Sequence, residues 1–262
     1  MRTGQAPPRG WSRRSALAAG ISGAGLGLTG VGAVSGCASI PVGGRSDAGR
    51  LYADDFRQGL TSWLIEREDG LGKVWAADGA MWFDTPRGAT AWFRQRLTSP
   101  VEISFTARAI SAGGPNDRVS DLNCFWMATD PRSPEDLIAL PRSGAFADYD
   151  LLRTYYVGLG GNGNTTSRFR RYAGNGQRPL LAHHDLSAPE DLIAPNRPYR
   201  IRLIADASHI EYWRDDRRMF ALEDPQPYRE GWFGLRTTFN HMAVRDFEVR
   251  TRAGSTPPGS TT

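Results

Sequence analysis

Thirteen segments of six to ten residues, rich in aromatic and β-branched side chains, follow one another from "WLIERE" at Trp63 to "AVRDFEVRT" ending at Thr251, with Gly, Pro, Asn or Asp punctuating the gaps. No stretch sustains a 3.6-residue apolar period, which excludes a helical bundle. Short strands at this spacing pair with their neighbours and stack their apolar faces, so the expected fold is all-β: a two-sheet antiparallel β-sandwich. Turn residues at Asp69-Gly70, Asp78-Gly79 and Asp215-Asp216 supply hairpins. Two near-identical stretches, Ser133–Pro141 and Ala188–Pro195, read as short helical turns, each with Pro at the first helical position and acids in the first turn.

The chain of 262 residues carries a formal charge of +4, but the excess lies at one end. Arg2, Arg9, Arg13 and Arg14 stand within residues 1–36 with no acid among them, and without that stretch 28 basic residues face 28 acidic ones. Nucleic-acid binding thereby loses its electrostatic basis. "SRRSAL" precedes an uncharged run rich in Ala and Gly that ends in "VSGC" at Cys37. This is the pattern of a twin-arginine lipoprotein signal over 1–37, with Cys37 the lipidated residue and the lipid anchor the only membrane contact. A tether over 38–50, one domain over 51–252 and a disordered tail over 253–262 complete the expected organisation. Lipidation of Cys37 leaves Cys124 without a disulfide partner, and its setting "LNCFWMA" predicts a buried, unreactive thiol.

The opening "LYADDF", the closing "GWFGLRTTFNHMAVRDFEVRT" and the strand series between them resemble a concanavalin A-like (glucanase/lectin) jelly roll. "SDLNCFWMATDP", "YYVGLGGNGNTTSRFRRY", "RPLLAHHDL" and "EYWRDDRRMF" are similar to a family of exported bacterial jelly-roll domains of uncharacterised function. That family is akin to the YesU-like proteins associated with pectin breakdown. The resemblance spans about 55–250 and implies a last strand lying beside the first, and a setting of polysaccharide utilisation. It implies no agreed reaction.

"YYVGLGGNGNTTSRFRRYAG" invites three readings. A phosphate cradle requires a helix after the glycines and a suitably placed lysine, and a metal loop requires alternating acids; neither is present. A long polar hairpin remains, in which Asn162 and Asn164 either shape the turn or bond sugar hydroxyls. Strand parity sorts its neighbours. Tyr155, Val157, Leu159, Leu122, Cys124, Trp126, Phe169 and Leu235 fall on apolar faces, leaving Tyr156, Asp121, Asn123, Arg168, Arg170 and Arg236 on the polar ones. Sharing one sheet face, these would line a groove suited to a polymer of hydroxyls and carboxylates.

All four histidines lie in the domain: His183, His184, His209 and His241. Their spacing gives weak support to zinc, and no metal ligand set is named. His183 or His184 beside Asp185, and His241 after Asn240, fit acid–base or binding roles better. A glucanase of this fold shows E-x-D-x-x-E on one strand, which is absent, and Asp121 and Asp130 would stand roughly 25–30 Å apart on an extended strand. Two readings therefore stand level. One is β-elimination on an acidic polysaccharide, with Arg168, Arg170 or Asn123 neutralising the uronate and Tyr156 with His183 or His184 moving protons. The other is a non-catalytic carbohydrate-binding lipoprotein. Glycoside hydrolysis ranks third. No cofactor is named, and a structural Ca²⁺ beside Asp54 and Asp55 stays open.

Overall fold

The computed structural model describes residues 49–252. The expected signal at 1–37, most of the tether and the tail at 253–262 lie outside the described residues. Fourteen strands carry the fold: β1 (Arg50–Asp54), β2 (Trp63–Arg67), β3 (Lys73–Ala77), β4 (Ala80–Phe93), β5 (Leu97–Thr98), β6 (Val101–Ala109), β7 (Asn123–Thr129), β8 (Arg153–Gly160), β9 (Thr166–Ala173), β10 (Asp185–Leu186), β11 (Tyr199–Asp206), β12 (His209–Arg214), β13 (Arg217–Glu223) and β14 (Glu230–Thr251). Every pairing between them is antiparallel.

The sandwich is one hydrogen-bonded sheet curled into two layers. In one layer β10, β9, β8, β7, the first half of β14, the second half of β4 and β2 lie side by side. In the other, β13, β12, β11, β6 and the second half of β14 continue into β1 and into the first half of β4, with β3 beyond it. Two strands cross between layers where the sequence suggests breaks. "AMWFDT" and "TAWFRQRL", expected as separate strands, are one strand that bends around Pro86, and "GWFGLRT" and "AVRDFEVRT" are both parts of β14. β14 turns at Phe239, whose φ of 45 sits at a register shift between Thr238 and Asn240. Such bulges bend a strand sharply while keeping its hydrogen bonds on either side.

Alternation does the sorting. Ile103, Phe105, Cys124, Trp126, Tyr155, Val157, Phe169, Ile201, Leu203, Phe233, Leu235 and Val249 meet between the layers in the main core, all of them buried. Each large side chain there contributes about 1.5–3 kcal/mol of burial. Cys124 is free and fully buried, and burial pushes its thiol far up. The Asp78-Gly79 hairpin takes positive φ at both residues, 52 and 68, the two-residue turn that matches strand twist.

A second aromatic cluster lies on the outer face of the first layer: Trp92, Phe125, Leu137, Tyr149, Leu152, Tyr156, Tyr172 and Trp232. It is covered by the connection from β7 to β8, residues 130–152, which lies across half of that face. The first expected helical turn, in this connection, is only Leu137–Ala139 and is capped by Asp136, whose side chain accepts from Ile138 N; Pro134 lies before it. The second is Pro189–Asp191, with Pro189 at its start as expected.

Candidate functional site

The uncovered half of that outer face is a groove of about 540 Å³. Register builds its floor. Arg236 lies opposite Asn123 across β14 and β7, Tyr156 opposite Arg170 and Gly158 opposite Arg168 across β8 and β9. Because side chains alternate, this set faces one way and the core set the other. Asp121, Asn123, Tyr156, Arg168, Arg170 and Arg236 thus line a single groove, together with Asn162 at the hairpin tip.

Tyr156 is the central ring, 7% exposed, with its centroid 4.9 Å from Phe125, 5.6 Å from Phe146 and 5.6 Å from Tyr172. Its ring folds along the strand over Gly158, where a Cβ would stand 3.2 Å from the tyrosine hydroxyl. That hydroxyl has no hydrogen-bond partner among the described residues, and burial raises its pKa well above the usual tyrosine range. Asp121 sits in a left-handed conformation, φ 56, and accepts from Ser120 Oγ at 2.6 Å and from Asn123 Nδ2 at 3.2 Å. Burial raises its carboxyl pKa, against the opposing pull of those bonds and of Arg118 and Arg236. Asn123, 4% exposed, keeps its Oδ1 free of any protein donor.

The arginines differ from one another. Arg168 donates to both oxygens of Asp185, at 2.7 and 3.1 Å, so much of its charge is answered within the protein. Arg178 pairs with Asp150 at 2.9 Å and lies over Phe146 and Tyr172. Arg170 donates to the Arg178 carbonyl, and Arg118 lies over Phe239.

Four expectations need correction. Arg236, expected to face solvent, is 1% exposed: its guanidinium bonds Thr90 Oγ1 and the Gly144 carbonyl, both at 2.9 Å, and is held between Phe146 and Tyr149. It underlies the groove as a buried charge. Asn164 lies outside the groove, exchanging two hydrogen bonds with the Ile193 backbone at 2.7 and 3.0 Å, a turn-making role. His183 and His184 fall in a 3₁₀ turn, Ala182–His184, rather than on a strand. There His184 packs edge-on to Phe169 at 4.8 Å and bonds the Ala221 carbonyl, while His183 rests on His184. Phe169 belongs to the core face, so both rings lie away from Tyr156. His241 is on the outer face of the other layer, bonded to Asp117 at 2.7 Å and 5.8 Å from Trp82.

Phe146, Tyr172, Arg178, Arg118 and Thr238 also line the groove and escape the sequence reading. Tyr172 shares parity with Arg168 and Arg170 and was recoverable from "RFRRY"; Phe146, Arg178 and Arg118 arrive on loops, where no period announces them. Among the described residues no group of three or more His, Cys, Asp or Glu gathers to hold a metal. A larger depression of about 620 Å³ lies along β1, but Asp54 there accepts from Phe56 N and Trp63 Nε1, and Asp55 from Arg57 N. The carboxylates considered for calcium thus serve the local turn.

Layer order, curled sheet and last strand beside the first define an antiparallel jelly roll of the galectin and concanavalin A type. Within that class the chain belongs to the family described as Domain of unknown function (DUF6250), which matches residues 83–247, from β4 into β14. Among solved structures it is similar to a protein of unknown function with a galectin-like fold from Bacillus subtilis, with TM-score 0.60 and 18% identity over 77% of this chain and 96% of that one. It is similar also to the carbohydrate binding module CBM66 from Bacillus subtilis, with TM-score 0.50 and 12% identity over 73% and 97%. A third is LamA from Zobellia galactanivorans in complex with laminaritriose and laminaritetraose, with TM-score 0.51 and 11% identity over 78% and 99%. At these identities the likeness is one of fold. No curated protein matches the chain.

Proposed function

We propose that this domain is exported as a lipoprotein and binds an acidic polysaccharide in the groove over β7, β8 and β9. One observation carries the reading: aromatic faces and arginines share the floor, with five arginines and one carboxylate, Asp121, among the lining residues, and Asp185 and Asp150 pairing two of those arginines. Rings stack on sugar faces, and guanidinium edges accept carboxylates. A carbohydrate binding module and an oligosaccharide complex among the similar folds support it. Export rests on Arg13, Arg14 and Cys37, and a polysaccharide-utilisation setting akin to that of the YesU-like proteins rests on the resemblance; nucleic acid is no part of the reading.

Binding fits better than cleavage because the groove holds neither histidine expected to move protons. β-Elimination is the second reading, favoured by the unpartnered Tyr156 hydroxyl bordering the arginines. An arginine would neutralise the uronate carboxylate and Tyr156 would transfer the proton. Hydrolysis by two carboxylates is weakest, since Asp121 is the one carboxylate among the lining residues. The test is a panel of acidic and neutral polysaccharides, followed for binding, for the ultraviolet absorbance of an unsaturated uronate and for reducing ends. Binding of acidic members without either product supports the binder, absorbance supports the lyase, and no binding by any member rejects the groove.

A further inference from the structure

Charge along the groove is unevenly answered. Arg168 is taken by Asp185 and Arg178 by Asp150. Among the described residues Arg118 and Arg170 form no ion pair. Asp121 acts on Arg118, and Asp185 on Arg170, only at longer range. These two arginines, neither in an ion pair, also stand at different places along the groove. Arg118 reaches over the hairpin tip, where a Cβ on Gly163 would meet its Nη2 at 2.8 Å. Arg170 sits opposite Tyr156, four residues into β9 from Thr166, which is roughly 13 Å at the rise of a strand.

Between them lies Tyr156. Its ring approaches the Gly158 backbone so closely that a Cβ there would stand 3.2 Å from the hydroxyl and 3.4 Å from Cε1, so glycine at 158 lets the ring lie flat along the strand as the groove's floor. Beneath the floor the buried Arg236, which forms no close ion pair among the described residues, adds positive potential that the Asp121 and Glu66 carboxyls offset in part.

We propose that the groove is built for an internal segment of a polyuronate rather than for a single sugar: one carboxylate is held by Arg118, a second by Arg170, and the sugar ring between them lies against Tyr156. This rests on the groove being a glycan site and adds its ligand class, its minimum length and its two charged subsites. Carboxylate and sulfate ester share the anionic chemistry, and the test separates them.

The experiment is calorimetric titration of the full chain with oligouronates from the monosaccharide to the hexamer, their methyl esters, a sulfated galactan hexamer and a neutral hexamer. Affinity should rise steeply once an oligouronate spans both arginines, and esterification should abolish that rise. Arg118→Met and Arg170→Met should each weaken the hexuronate by about 10–150-fold, the range of a charge-assisted hydrogen bond. Against the shortest oligouronate that binds, only one of the two substitutions should matter. Gly158→Ala, which leaves both arginines in place but displaces the Tyr156 ring, should weaken all oligouronates. A monosaccharide as tight as the hexamer, esters as tight as free acids, a preference for the sulfated chain, or two silent arginine variants would each overturn the two-carboxylate assignment while leaving a glycan groove standing. Binding of no saccharide at all would overturn both.

Discussion

Arg142 should be the residue on which the covering connection 130–152 depends. Its Nη2 meets Asp130 Oδ2 at 2.7 Å, its Nη1 donates to the Leu137 and Leu140 carbonyls at 3.1 Å, and Glu66 Oε1 on β2 lies 3.7 Å away. One guanidinium thus joins the start of the connection, its helical turn and the sheet beneath. Both members of the main pair are buried, at 2% and 0% side-chain exposure. Arg142→Met keeps the aliphatic stem and strands two buried carboxylates. Removing one partner of a buried pair costs about 3–5 kcal/mol. Asp130 retains Arg132, at 2.7 and 3.0 Å, which puts the expectation at the lower end, about 3 kcal/mol. For a domain of this size that is a melting-temperature drop of about 6–12 °C. Denaturant unfolding would measure the loss, and limited proteolysis would show cleavage concentrating within 130–152. Because the stranded acid is the cause, adding Asp130→Asn should recover part of the loss, a coupling that a double-mutant cycle reads directly. A loss below about 1 kcal/mol, or a double variant no better than the single one, would refute the reasoning.

Acid should loosen the same connection. Asp130 is held down to about 2 from 3.8, by Arg132 and Arg142 against its own burial, so its contribution is whole above pH 3.8 and is lost as pH falls towards 2. That contribution is about 2 kcal/mol, measurable as a shallower acid-unfolding curve for Asp130→Asn. Tyr156→Phe keeps the stacking ring, so a binding protein should lose little affinity, whereas a lyase using the hydroxyl should lose about 10²-fold in turnover with binding intact. Cys37→Ser should release soluble protein or leave uncleaved precursor, and unchanged lipid labelling of that variant would reject the anchor. Cys124 should resist thiol reagents until the domain unfolds, read by labelling the Cys37→Ser protein with and without denaturant.

Face assignment was legible because it needs only a period of two. Tyr155 against Tyr156, Cys124 against Asn123 and Phe169 against Arg168 and Arg170 all fall as alternation demands. The histidines were misplaced because they were chosen for the Asp185 beside them, and a neighbour in sequence does not say which face a turn presents. Arg236 shows a different limit. Its face was right, but its burial comes from Phe146 and Tyr149, some ninety residues earlier in the chain and on a connection whose path no local pattern encodes. Pro86 misled in the opposite sense: as punctuation it suggested two strands, where it marks the bend of one strand serving both layers.

β14 bears on the order of events in folding. It is the last strand, and it pairs with β1, β4, β5, β6 and β7, so both layers are joined through residues 230–251. Neither layer can be completed while that stretch is unmade. The strands formed earlier must meanwhile wait with open edges, and the loops closed when β14 docks are long, including the one that brings Ala53 to Glu248. Such a topology folds slowly and late, and a chain cut short before Thr251 should be recovered as aggregate rather than as a smaller folded core.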